Sequence, residues 1–128
     1  MTSLVFALIV VSVSLSALAQ MSLKAGMAAV AGAAGSGLAP GVAGGLASVL
    51  AALTQPYVLL GLGLYGLGAF VWLLVLARLD VSLAYPFVAL GFIVVMVLGA
   101  LWFGEPITPT KLAGTALVGL GVWLIARG

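Results

Sequence analysis

Ser12, Ser16, Gln20 and Lys24 recur at intervals of four along the chain. On a helix that interval puts them on one face. Two hydroxyls, an amide and an ammonium make a ladder suited to binding rather than to bond breaking. An amide and a cation near a membrane surface suit an anionic headgroup. The serines also read as small packing residues whose hydroxyls bond back to their own helix. Lys24 reads equally as a cation reaching water along its alkyl stem. Glu105 stands in the turn Phe103-Gly104-Glu105-Pro106 and reads as a helix-terminus or loop residue, not as a proton carrier at the membrane midplane. Tyr65 and Tyr85 pair an aromatic body with a hydroxyl tip and suit a cavity wall, a packing position or an interfacial anchor. The candidate substrate-binding residues are therefore Ser16, Gln20, Lys24, Tyr65, Tyr85 and Glu105.

The chemistry that is missing narrows the function further. The chain has no His and no Cys, which removes the usual transition-metal ligands and a thiol nucleophile. It has no Ser/His/Asp set, no paired carboxylates and no phosphate-cradling loop. An enzyme is not expected, nor is a cofactor or a metal. The formal charge of +2 is too small and too scattered for a nucleic-acid surface.

The elements that must position these residues follow from composition. Of 128 residues, 66% are hydrophobic and 5% are charged. A soluble domain of this size exposes much of its surface and needs charge to cover it. Helices apolar on every side belong in a bilayer. A crossing takes roughly 20 apolar residues, and the chain offers them at about 3–23, 56–77, 82–103 and 108–126. The expected fold is an all-α membrane protein, a bundle of four transmembrane helices forming a single transmembrane domain over 1–128.

Local signals mark the boundaries. Thr108-Pro109 reads as an N-cap followed by proline at the first helical position. Asp80 and Ser82 fall where the third span begins, since carboxylates favour helix N-termini. Pro86 lies inside that span and predicts a kink or a broken first turn. Trp72, Trp102 and Trp123 lie towards span ends, as interfacial anchors do. Ala17-Leu18-Ala19 before Gln20 has the form of a signal-peptidase site, but no Lys or Arg precedes it and Lys24 follows, so the segment is expected to remain as a span.

Residues 25–54 are different. Eighteen of these 30 residues are Gly or Ala, and Pro40 lies near the middle. The segment reads as an insertion in which Val42–Leu53 forms a short extra helix, at the interface or packed on the bundle. A fifth crossing is the alternative.

Four crossings put Arg78 and Arg127 on one side and Lys24 and Lys111 on the other. Positive charge in short loops sets orientation, and here it is balanced. Insertion both ways with pairing of inverted copies, orientation by a partner subunit, and uniform insertion with one charge masked all fit. Glycines Gly61, Gly63, Gly66 and Gly68 on the second span and Gly114, Gly119 and Gly121 on the fourth suit close helix contacts. Gly114 and Gly121 share a face, which suits a dimer contact or packing within one subunit.

Two blocks carry a likeness to known proteins. One is Ser16-Ala17-Leu18-Ala19-Gln20-Met21-Ser22-Leu23-Lys24. The other runs from Trp72-Leu73-Leu74 through Leu83-Ala84-Tyr85-Pro86 to Gly104-Glu105-Pro106 and Gly114 to Gly121. In these blocks the chain resembles the small four-helix members of the drug/metabolite transporter superfamily, the small multidrug resistance proteins and single EamA-type repeats. Within it the nearest likeness is to the paired flippase subunits that move aminoarabinose-phosphoundecaprenol across the bacterial inner membrane. The multidrug exporters carry a glutamate where this chain has Ser16 and an aromatic residue where it has Val88, which argues against proton-coupled cation export. The resemblance implies a small multi-pass transporter of the inner membrane handling an amphipathic or polyprenyl-phosphate-linked substrate. It implies a homodimer, often antiparallel, or a heterodimer with a related subunit, with membrane lipid around it. A metabolite or multidrug exporter and a non-transporting partner subunit are the rival readings.

Overall fold

The computed structural model describes residues 2–34, 46 and 49–128. Helix α1 spans Ser3–Ala34 and α2 spans Pro56–Leu76. The third crossing is composite: α3 is Val81–Ala84, a 3₁₀ turn covers Tyr85–Ala89, and α4 is Leu90–Phe103. Helix α5 spans Pro109–Arg127. Among the described residues, four helical segments are long and apolar enough to cross a membrane. The chain is thus a multi-pass, all-helical membrane protein.

The helix ends obey local chemistry. The Gln55 side chain accepts from the Tyr57 N–H at 2.8 Å, and Pro56 opens α2 where no N–H is needed. Thr108 caps α5 in the same way, its hydroxyl accepting from the Lys111 N–H at 3.2 Å, with Pro109 next. Asp80 occupies the cap position before α3, but its side chain makes no capping bond there. The break expected at Pro86 takes the form of the 3₁₀ turn. A proline cannot donate to the α-helical ladder, and tightening the turn re-pairs the backbone around it.

Helix α1 runs past Lys24 and through the alanines to Ala34, beyond the expected end of the first span at residue 23. Alanine is the strongest helix former, and the intervening Gly26 lies against α2, where a Cβ would stand 2.8 Å from the Val58 backbone nitrogen. Thirty-two residues rise about 48 Å, more than the roughly 30 Å of hydrocarbon. Counted from Ser3, Lys24 falls about one hydrocarbon thickness along that helix, so it stands in a helix wall near a surface rather than in a loop. Residues 49–52 are helical, and Ala52 packs with Val30 and Val58 in a small core beside Leu23. The short extra helix therefore exists and packs on the bundle. The helix ends before Leu53, which lies in a turn, while residues 42–45 and 47–48 of the expected Val42–Leu53 helix, and with them the fifth crossing, lie outside the described residues.

The main core joins Val5, Ile9 and Val13 of α1 to Val75 of α2, Ala84 of α3, Phe87 of the turn and Val122 of α5. Helices α1 and α2 are the most closely packed pair, because glycines let them approach. A Cβ on Gly61 would lie 2.8 Å from Leu23 Cγ, and one on Gly68 3.2 Å from Ser16 Oγ. Gly63 and Gly66 have nothing in reach on their side of α2. So only one face of the glycine-rich helix serves the contact. Trp72 also departs from the anchor expectation, being partly buried against the main core.

Candidate functional site: a cavity with one charged end

Beside the α1–α2 contact lies a cavity of about 970 Å³ to which all four crossings contribute. Helix α1 supplies Ser12, Ser16 and Gln20, α2 supplies Tyr65 and Trp72, the turn supplies Tyr85, α4 supplies Phe92 and Met96, and α5 supplies Thr115. Much of its wall is apolar, with Val13, Ala17, Val88, Val95 and Val118 among the lining residues. Tyr85 is 65% exposed and Phe92 63%, so the cavity is open rather than sealed.

Each sequence-predicted candidate stands at this cavity. Ser16, Gln20, Tyr65, Tyr85 and Glu105 line it directly. Lys24 is not on the wall, but its ammonium forms an ion pair with the Glu105 carboxylate, which is. The four-residue ladder on α1 is thus divided along its length. Ser12 is buried and donates to the Gly68 carbonyl of α2 at 2.8 Å. It serves the helix contact across the bundle instead of bonding back to its own helix. Ser16 and Gln20 face the cavity, and Lys24 closes the ladder at the charged end.

That end is built, not incidental. Gly104 takes a left-handed conformation (φ 64°) that ends α4 and turns the chain, and the Glu105 N–H bonds the Gly99 carbonyl at 3.2 Å. Gly99 leaves the room the carboxylate occupies, since a Cβ there would stand 2.6 Å from Glu105 Oε2. The Lys24 ammonium also lies 4.8 Å above the centre of the Phe103 ring, a cation–π contact. Lys111 lines the same cavity and donates to the Pro106 carbonyl at 2.9 Å. Two cations and one carboxylate therefore gather at one end, while Arg78 and Asp80 belong to the opposite turn.

Sequence reasoning missed the Lys24–Glu105 pair and Lys111 as a cavity residue. The pair was within reach of the sequence. With four crossings, the loop after the first span and the loop after the third lie on one side, so Lys24 and Glu105 are opposite charges on the same surface. Trp72, Phe92 and Met96 carried no such signal, because apolar residues on an all-apolar helix mark no face.

The comparisons with known proteins agree on one group. A probable 4-amino-4-deoxy-L-arabinose-phosphoundecaprenol flippase subunit ArnE of Pseudomonas savastanoi pv. phaseolicola is 43% identical over 79 residues, covering 62% of this chain and 69% of that protein. This chain belongs to that flippase-subunit family. The ArnE subunit of Pseudomonas syringae pv. syringae is 38% identical over 84 residues, 66% of this chain and 76% of the relative. The family's other named subunit also matches: a probable ArnF of Photorhabdus laumondii is 42% identical over 72 residues, 55% of this chain and 57% of that protein. These relatives are named as transport subunits and not as enzymes, in line with the missing catalytic groups. No protein-family model and no solved structure matches the chain.

Proposed function

We propose that this chain is one subunit of a paired flippase of the bacterial inner membrane that moves a polyprenyl-phosphate-linked aminosugar between leaflets. The observation that carries the proposal is the cavity with a charged end and a mainly apolar, open wall. Its volume, about 970 Å³, is at the upper end of the roughly 300–1,000 Å³ of small-molecule pockets. A sugar-phosphate headgroup fits such a space, and a long polyprenyl tail does not. The tail stays in the bilayer while the headgroup travels past Ser16, Gln20, Tyr65 and Tyr85 to the charged end.

Pairing follows from what one subunit leaves open. Helix α5 meets mainly the 3₁₀ turn and α4, and a Cβ at Gly114, Gly119 or Gly121 would touch nothing among the described residues, Gly114 standing at the edge of the cavity. Small residues on an open helix face are the usual means of close helix association in membranes. A second, related chain laid along α5 would complete the wall of the cavity. The likeness to both an ArnE and an ArnF subunit supports a related partner, and a second copy of this chain is the simpler variant.

The test is transport in vesicles of defined lipid. An amine-reactive reagent that does not cross the membrane labels only outer-leaflet aminosugar lipid. With the protein present, alone or with a related subunit, labelling should approach completion, and Gln20→Ala with Lys24→Ala should slow it. If labelling stops at the outer leaflet in every combination, the flippase reading falls. If both substitutions leave transport intact while Gly114→Leu abolishes assembly, the chain is a non-transporting partner subunit.

A further inference from the structure

The charged end of the cavity has a feature that binding of a simple anion does not require. A site for a phosphate alone would present its cations free. Here Lys24 is committed to Glu105, and Glu105 is held in place by the Gly104 turn and by the space at Gly99. Both partners stay accessible: Lys24 is 50% exposed and Glu105 38%. Lys111 stands beside them, its ammonium tied among the described residues to the Pro106 carbonyl.

We infer that Glu105 is a specificity-determining residue: the Lys24–Glu105 pair opens onto a zwitterionic headgroup, Lys24 taking the phosphate and Glu105 the substrate's ammonium. This rests on the flippase reading above and deepens it. An anionic lipid that draws Lys24 away leaves Glu105 without a counter-ion beside a second negative charge, in a setting poorer in water than bulk solvent. A lipid with an amine as well as a phosphate replaces each half of the pair with an equivalent partner, so no charge is stranded. The resting pair thus discriminates against the unmodified polyprenyl phosphate as much as it favours the aminosugar form, which is selection by an unpaired charge in the wrong complex. Lys111 adds a second cation at the same end, so the phosphate is held even while Lys24 and Glu105 separate.

The experiment measures lipid retention by native mass spectrometry, on the full chain released from the membrane with its co-purifying subunits. Three probes are offered: aminoarabinose-phosphoundecaprenol, its N-acetylated form, and undecaprenyl phosphate. The wild type should prefer the amine-bearing lipid to either of the others by about two- to fivefold, the range open to a partly exposed ion pair. Glu105→Gln should bring the three retentions together, with undecaprenyl phosphate held at least as well as before. Lys24→Gln should weaken all three, because each carries the phosphate. Gly99→Ala keeps every charge and moves the carboxylate, so it should narrow the preference without abolishing retention, and it guards against a Glu105 variant that misfolds. A wild type indifferent to the free amine, or a Glu105→Gln protein that keeps the preference, overturns the inference and leaves the flippase reading standing. Retention of none of the three lipids overturns both.

Discussion

Helix α1 buries Val5, Ile9, Ser12, Val13, Ala17, Ala19, Met21 and Val30 within the chain, whereas α5 buries Val122 among the described residues and leaves Leu117 69% exposed. Both helices are apolar, and both carry or meet small residues, so composition does not separate them. What separates them is whether those small residues have a neighbour. Gly26, Gly61 and Gly68 each sit where a Cβ would press on the facing helix, while Gly119 and Gly121 have nothing within reach and Gly114 opens onto the cavity. In lipid there is no hydrophobic drive between helices, and close packing is what holds them. The α1–α2 contact is therefore finished within the described residues, and these leave the α5 face open.

The largest effect should come from breaking the finished contact. Gly61→Leu drives a side chain into Leu23 and the Ala19 carbonyl, and overpacking of this kind costs about 1–3 kcal/mol. Thermal unfolding in detergent should show a clear drop in midpoint. A midpoint unchanged from wild type would mean that α1 and α2 do not depend on close approach, and the contrast with α5 would lose its basis.

Gly114→Leu is the counterpart on the open face. Nothing lies within 4 Å of its Cβ, so the unfolding midpoint should stay near the wild-type value. The mass of the detergent-solubilised species should fall from a pair to a single subunit. Should the pair survive with Gly114→Leu, α5 would not be the interface, and its exposed leucines would simply face lipid.

These two glycine sets also show how far the sequence could be read. The four crossings were legible because length and lack of charge decide them. The cap at Thr108 and the break at Pro86 were legible because each depends on local backbone chemistry. The division of Gly61 and Gly68 from Gly63 and Gly66 was not, since on an evenly apolar helix nothing marks which face meets a neighbour. The extension of α1 to Ala34 was hidden for a related reason. Gly and Ala read as too weakly apolar for a span, yet alanine favours helix wherever packing tolerates the glycines. At the site, Ser16 and Gln20 of the ladder gave the cavity wall and Lys24 its charged end, but the role of Glu105 emerged only once Gly104 had turned it back towards Gly99.

The smallest effect is the most discriminating about what holds α1 to α2. Ser12 is 3% exposed, and its hydroxyl donates to the Gly68 carbonyl at 2.8 Å. That carbonyl can keep its place in the α2 ladder when the hydroxyl is removed, so Ser12→Ala strands no backbone group. Interhelical hydrogen bonds in membranes average about 0.6 kcal/mol by double-mutant cycles, and Ser12→Ala should cost about that much. Gly68→Ala, by contrast, presses a methyl towards Ser16 Oγ and the Ser12 carbonyl, at 3.2 and 3.3 Å. It should cost more than Ser12→Ala although it removes no polar group. If the order is reversed, so that the serine matters more than the glycine, the contact is held by its hydrogen bond rather than by close approach. The open glycines of α5, which have no such serine opposite them among the described residues, would then have no basis for holding a partner by packing alone.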